Sequence, residues 1–187
     1  MRVTVLAVVL AIAATACATP TPGPAAQQTP QSTQSPASTS ATVSDKREPT
    51  LKAELTLQGK PGLGLLTVTN EGTTPLTFRG WPKLSFTTPA DELAAIPVEQ
   101  KLVPGEGPSI TLEPGRTAFA GVRLDVGDEA GSVAIGSMTA ELPGATPAEV
   151  TVIGADGRPV ADLSSLRVSE AEVGTLQPAA QGVLTFG

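Results

Sequence analysis

The sequence predicts an all-β protein, an antiparallel immunoglobulin-like β-sandwich preceded by a signal peptide and a disordered linker. Apolar and polar residues alternate over short runs such as 51–57, which is the two-residue period of a strand with one buried face. Turn-forming glycine and proline interrupt these runs about every ten residues, and no run has the period of a long amphipathic helix. Short strands at this spacing favour a sandwich over a parallel α/β sheet.

Residues 1–16 have the features of a lipoprotein signal peptide. Arg2 supplies a minimal positive n-region, 3–14 form an apolar run, and Ala16 ends a small-residue cleavage site. The run is shorter than the roughly 20 apolar residues of a membrane-spanning helix. Residues 14–17, Ala-Thr-Ala-Cys, resemble a lipobox, although leucine is commoner at position 14. That resemblance implies cleavage between Ala16 and Cys17 and acyl chains such as palmitate on the Cys17 sulfur.

Two alternatives to lipidation remain open at this point. An ordinary secretory leader could be cleaved near Ala16 or Ala18, and an uncleaved leader could act as an anchor. Cys17 is the single cysteine of the chain, so an intramolecular disulfide is excluded. The lipidated form predicts a protein held at the extracytoplasmic face of the cell membrane.

Residues 17–45 form the predicted linker. Between 18 and 44 the chain is almost wholly Ala, Thr, Pro, Gln and Ser, without charge. Such a segment buries too little apolar surface to offset the entropy of ordering, so we expect a disordered spacer. Its hydroxyl side chains could also carry O-linked sugar.

Residues 46–187 form the predicted domain, long enough to bury about two-thirds of the unfolded chain's surface in a single core. Phe119 has the opposite parity to its apolar neighbours, which predicts a bulge near Gly121. Residues 164–173 are interpreted as a loop with a helical turn. The predicted strands are 51–57, 66–68, 76–79, 84–88, 93–99, 109–113, 118–126, 132–142, 149–153 and 182–186.

Residues 66–86, LTVTNEGTTPLTFRGWPKLSF, resemble the signature of a secreted actinobacterial family, the domain of unknown function 4232 (DUF4232). The shared features are N-x-G at 70–72, Pro75 before the next strand, and the Gly-Trp-Pro corner at 80–82. The run LEPGRTA at 112–118 resembles the family's second turn. The resemblance implies a β-sandwich in lipoproteins of high-GC Gram-positive bacteria and implies no activity. The family often has a cysteine at the position that Leu76 occupies in this chain. The resemblance therefore implies that an apolar residue stands here at the site of a disulfide.

Trp81 is the single tryptophan and the one candidate binding residue of the domain. A lone ring on a turn could stack on a sugar or anchor a protein partner. Packing of the ring against the end of the sandwich is the alternative that we favour. Carbohydrate modules usually present several aromatic rings, whereas aromatic residues make up 3% of this chain.

The composition argues against most catalytic and metal sites. The chain has no histidine, which excludes Ser-His and Cys-His pairs and imidazole metal ligands. Asp125, Asp128 and Glu129 could ligate calcium, but a solvated acidic turn is the simpler interpretation, as it is for Asp91-Glu92 and for the acids at 170 and 172. We therefore predict no catalytic residue, no metal and no cofactor. The net charge of -6 argues against nucleic acid as a partner.

These observations predict a non-catalytic, monomeric module tied to the membrane through Cys17. It would bind an unknown protein or cell-wall component through its loops or an exposed edge strand. A small-solute or metal-handling lipoprotein is the alternative. The chain has no histidine and two methionines, so it has few of the side chains that such a protein would use. A hydrolase is the third hypothesis and would need a cleft with paired acids.

Overall fold

A computed structural model describes residues 50–128 and 130–186, and this part of the chain contains eleven strands. The predicted signal peptide, Cys17, the linker and Glu129 lie outside the described residues. Within them, no helix has the length and apolar character to cross a membrane. The strands are β1 Leu51–Leu57, β2 Leu63–Asn70, β3 Leu76–Phe78, β4 Lys83–Thr87, β5 Val98–Gln100, β6 Ile110–Leu112, β7 Thr117–Val126, β8 Val133–Ala134, β9 Ser137–Glu141, β10 Ala148–Ile153 and β11 Arg167–Val173.

Most strands form where the sequence alternates between apolar and polar residues. In β1 the side chains of Leu51, Ala53 and Leu55 are buried, whereas Lys52 between them is exposed. The same two-residue period runs through β2, β4, β9 and β10. The all-β prediction is therefore confirmed for the described residues.

The strands form one long sheet and one short ladder. The long sheet has the order β4-β9-β10-β1-β2-β7-β11-β5, with β8 also paired to β11, and β3 pairs with β6 in the ladder. The pairs β1–β10 and β5–β11 are parallel, and the remaining pairs are antiparallel. The sheet is thus mixed rather than wholly antiparallel, because β10 and β5 reach their neighbours through long connections instead of hairpins.

The core lies against one face of the long sheet. Alternate residues of β1, β2, β7, β10 and β11 bury their side chains there, and the β3–β6 and β4–β9 pairs contribute to the same cluster. Leu76, at the position where the resemblance predicts an apolar substitution, is buried and lies opposite Leu112. The largest fully buried side chains include Phe86, Leu55, Leu66, Leu112, Ile135, Met138, Leu142 and Leu176.

The interpretation of residues 164–173 as a loop is wrong, since they contain β11 between β7 and β5. The register with β7 shifts between Val168 and Glu170, so the buried positions Val168 and Ala171 are three residues apart. This bulge hides the two-residue period. Glu172 adds to the polar appearance of the segment although its side chain is largely buried.

Three predicted strands are shortened, divided or absent in the structure, whereas the bounds of the others differ by three residues or fewer. Of the predicted strand 93–99, only residues 98 and 99 lie in a strand, β5, and 132–142 contains two strands that pair with different partners. The predicted strand 182–186 is wrong. Gly182 has φ 76°, and the N–H and hydroxyl of Thr185 both donate to its carbonyl oxygen, which closes a turn.

The predicted bulge near Gly121 is also wrong, because the register between β2 and β7 runs without a shift from Thr69–Thr117 to Leu63–Arg123. Phe119 and Gly121 lie on the face of the sheet opposite the core. Residues 178–186, here called the C-terminal segment, cover that face: a Cβ at position 121 would lie 1.9 Å from the carbonyl oxygen of Val183. Phe119 has odd parity because its half-buried side chain lies on this second face.

Candidate functional site

The corner between β3 and β4 positions Trp81. Gly80 has φ 96°, a conformation that side chains with a Cβ rarely adopt. The carbonyl oxygen of Gly80 accepts a hydrogen bond of 2.8 Å from the Leu176 N–H, which fastens the corner to the chain beyond β11. The sequence Gly-Trp-Pro therefore folds as a tight corner that directs the indole toward the segment after β5.

Trp81 is half-buried and packs against the core cluster. Its indole N–H donates to the carbonyl oxygen of Lys101 at 2.7 Å, so the polar group of the ring is already satisfied within the chain. These contacts give Trp81 a packing role of the kind expected for a corner residue. The rest of the ring lines a cleft.

This cleft, here called the Trp81 cleft, has a volume of about 350 Å³ and is lined by Arg79, Gly80, Trp81, Leu102, Glu106, Gly107 and Thr175. The Leu102 side chain is 61% exposed beside the half-buried ring. At the rim, Arg79 Nη2 lies 3.4 Å from Glu106 Oε2, and Arg79 Nε donates to the Gly107 carbonyl oxygen. The cleft thus combines an apolar floor with one ion pair at its mouth.

A second polar cluster lies on the face of β7 and β11 that is opposite the core. Glu172 accepts from Arg123 Nε at 2.6 Å and lies 3.2 Å from Lys101 Nζ. Lys101 also bonds Glu99, which lies on β5. The expectation of a solvated acid at position 172 is therefore wrong, because this carboxylate joins three segments of the sheet.

The ion pairs of this cluster shift two pKa values. The hydrogen bond and positive charge of Lys101 lower the pKa of the Glu99 carboxyl. The hydrogen bonds to Glu99 and then to Glu172 raise the pKa of Lys101. Both groups are therefore charged near neutral pH.

Asp125 and Asp128, the two described acids that the sequence offers to calcium, do not converge. Asp125 accepts a hydrogen bond of 3.1 Å from Ser169 Oγ, whereas Asp128 lies 3.6 Å from Arg167 Nε and is almost fully exposed. Residues 50–128 and 130–186 contain no group of three or more His, Cys, Asp or Glu side chains able to hold a metal ion. The two described acids of the cluster each have a different partner.

Comparison with known proteins identifies the family. No curated protein and no solved structure matches the chain. The family described as Domain of unknown function (DUF4232) matches residues 47–177, a range that includes all eleven strands and ends before the C-terminal segment. Because the match covers well over half of the 187 residues, the chain belongs to the DUF4232 family.

Proposed function

We propose that the chain is a non-catalytic lipoprotein of a high-GC Gram-positive bacterium, and that its domain binds a partner protein outside the membrane. In this proposal the signal peptide is removed before Cys17, acyl chains on Cys17 hold the protein at the membrane, and an immunoglobulin-like sandwich is presented on the linker. The lipobox-like residues 14–17 support the anchor. The domain itself supplies the argument for binding.

The observation that carries the proposal is the exposure of Leu102 beside Trp81. A single exposed leucine is ordinary on a protein surface, but this one lies in a cleft with the single tryptophan of the chain. Aromatic anchors next to apolar pockets are the residues that contribute most to protein interfaces. A protein side chain suits this site better than a wall polysaccharide, because one ring offers little stacking surface.

The absence of catalysis is proposed on chemical grounds. Without histidine, a general acid or base near neutral pH would have to be a carboxylate or lysine with a strongly shifted pKa. The buried carboxylate of Glu172 is held by Arg123 and Lys101, and Glu106 at the mouth of the Trp81 cleft is paired with Arg79. Each of these acids is thus paired with a basic side chain of the same domain, and neither presents an unpaired carboxylate to a substrate.

Photo-crosslinking in living cells tests the binding proposal. A photoreactive amino acid replaces Leu102 in one strain and Val160, an exposed residue on the loop after β10, in a control strain. We expect one discrete protein to be captured from position 102 and not from position 160, and to bind the purified chain in solution. Capture of the same proteins from both positions, or of none from position 102, would contradict the proposal and favour a small-solute lipoprotein.

A further inference from the structure

We propose that the partner binds as an added β-strand along the open edge of β5, with an apolar side chain in the Trp81 cleft and a basic side chain beside Glu99. This inference rests on the proposed function, because it assigns the binding mode and the chemistry of the same partner. The partner is an extended peptide segment in which apolar and basic residues alternate.

The edge of β5 is open in the described part of the chain. β5 is the last strand of the long sheet and pairs there only with β11. Pro97 O accepts from Ala171 N–H, and Lys101 N–H donates to Val173 O, so the odd-numbered residues bond β11. Since the main-chain groups of a parallel strand alternate in direction, those of Val98 and Gln100 point away from β11, where only another extended backbone can complement them in a ladder.

The opposite edge of the sheet is less available. β4 ends the sheet on that side, and the loop that follows folds back along it: Ala94 N–H donates to Phe86 O at 2.9 Å, and Thr87 and Leu93 form an isolated bridge. The chain therefore already occupies part of the β4 edge. This difference favours β5 as the edge that accepts a partner.

The parity of β5 directs one row of side chains toward the cleft. Val98 lies opposite the buried Ala171 and packs against the core, so even-numbered positions face the core layer. Leu102 has the same parity and lines the Trp81 cleft. A strand added beside β5 presents its side chains in the same two rows, so its core-side row lies next to Leu102, whose side chain lines the cleft together with Trp81.

The other row faces an excess of negative charge. Four acids lie on this part of the sheet, with two cations, Lys101 and Arg123, between them. The acids are Glu99, Glu170, Glu172 and Asp125. Glu99 is on the outermost strand, and its side chain is 53% exposed. A lysine or arginine of the added strand would lie beside it, and the net charge of -6 would attract such a segment over a distance.

The short length of β5 limits how much its main chain alone can contribute to binding of the partner. Three residues offer few free main-chain groups, and short edge strands are one way in which proteins prevent unspecific pairing. Proline at 97 and 104 restricts the edge further. Selectivity must therefore come from the side chains, an apolar residue in the cleft and a basic residue at Glu99, and the affinity of an isolated peptide is expected to be modest.

A labelled synthetic peptide of alternating lysine and valine, seven residues long and capped at both ends, is the probe. Fluorescence anisotropy measures its binding to the purified full chain in zwitterionic detergent. We expect Leu102→Asp to weaken binding by at least about tenfold and the matched Leu93→Asp, another exposed leucine, to leave it within about threefold. Gln100→Pro, which removes an outward N–H from the edge, should also weaken binding while circular dichroism shows an unchanged fold.

N-methylated probes distinguish strand addition from simple adhesion. One peptide is methylated on the main-chain nitrogens of its valines, and the other on the main-chain nitrogens of its lysines. In an extended strand these two sets of N–H groups point to opposite edges. We expect one methylated peptide to lose binding and the other to keep it. Equal binding of both peptides would overturn strand addition, although a selective loss with Leu102→Asp would still support the proposed function. Absence of binding at millimolar peptide would overturn the partner chemistry, leaving the crosslinking experiment to decide the proposed function.

Discussion

Asn70 links the long sheet to the short ladder through hydrogen bonds from one side chain. Its Nδ2 donates to the carbonyl oxygens of Thr74 and Leu112, each at 2.8 Å, and its Oδ1 accepts from the Gly72 N–H at 2.9 Å. The residue is fully buried at the end of β2. The amide therefore orders its own turn and also holds β6, which lies 42 positions further along the chain.

We expect Asn70→Ala to lower the free energy of unfolding by roughly 3 kcal/mol, because it leaves buried carbonyl groups without a donor. Asn70→Asp should destabilise the domain at least as much, since a carboxylate would face two carbonyl oxygens. Urea denaturation followed by tryptophan fluorescence measures both variants. Thr77→Ala, which removes an exposed hydroxyl contact with Thr111 in the same ladder, is the control and should cost less than about 1 kcal/mol. An Asn70→Ala variant as stable as the control would contradict this role.

Single residues are predictable from the sequence where their role is local. Asn70 is identifiable as part of a turn, and Trp81 as a corner residue, because turn chemistry depends on adjacent residues. The ion pairs of Glu172 and the exposure of Leu102 could not be predicted, since Lys101 and Glu172 are far apart in sequence and meet only through strand pairing. Leu102 carries no local signal that separates it from the buried leucines.

Among the elements, β7 carries apolar residues on both faces. Ala118, Ala120 and Val122 face the core, while Gly121 lies beneath the C-terminal segment on the other face. Val183 is fully buried there and lies outside the main core cluster. Phe186 lies over Arg123, with the guanidinium carbon 6.0 Å from the ring centroid. Close approach at Gly121 is therefore what allows the last residues to pack.

We expect Gly121→Ala to detach the C-terminal segment, because the new Cβ would overlap the Val183 carbonyl. Limited proteolysis with mass spectrometry should show faster cleavage between 178 and 186, and the free energy of unfolding should fall by about 1–3 kcal/mol. Gly59→Ala is the control, since a Cβ there meets no atom within 4 Å. Equal proteolysis of the two variants would show that Gly121 does not govern this packing.

The elements that the sequence does not reveal are those whose pattern is set by distant partners. β11 escapes prediction because a bulge breaks its period and because the charge of Glu172 is paired with Arg123 on the neighbouring strand. The turn at 182–185 resembles a strand because Val183 is apolar, yet its burial comes from contact with β7 rather than from pairing in a sheet. Local alternation cannot distinguish these two causes of burial.

At the scale of the whole molecule, the alternating pattern predicts an all-β domain but not its sheet order. β1 lies between β2, its hairpin partner, and β10, which joins it in parallel register from near the end of the chain. Such a pairing depends on the packing of the whole core, and the hydrophobic pattern of β10 is compatible with either direction. The family signature is more local, and residues 66–86 are enough to indicate the family that matches 47–177.

The attachment of the whole molecule to the membrane is predicted to depend on Cys17. We expect Cys17→Ser to shift the protein from the membrane fraction to the medium, or to leave an unprocessed precursor, because serine cannot form the thioether. Two acyl chains contribute about 0.8 kcal/mol per buried methylene and keep release rare. Immunoblotting of membrane and medium fractions measures the shift, and mass spectrometry of the natural protein should find acylated Cys17 as its first residue.

Thr15→Ser is the matched control for this prediction, since it keeps a small residue before the cleavage point and leaves the sulfur in place. The control should remain in the membrane fraction at the natural mass. Thermal unfolding of the released Cys17→Ser protein should match that of the natural chain, because the buried core residues of the described part begin at Leu51. Full membrane retention of a correctly shortened Cys17→Ser protein would show that the sulfur is not the anchor and that another attachment holds the protein in the membrane fraction.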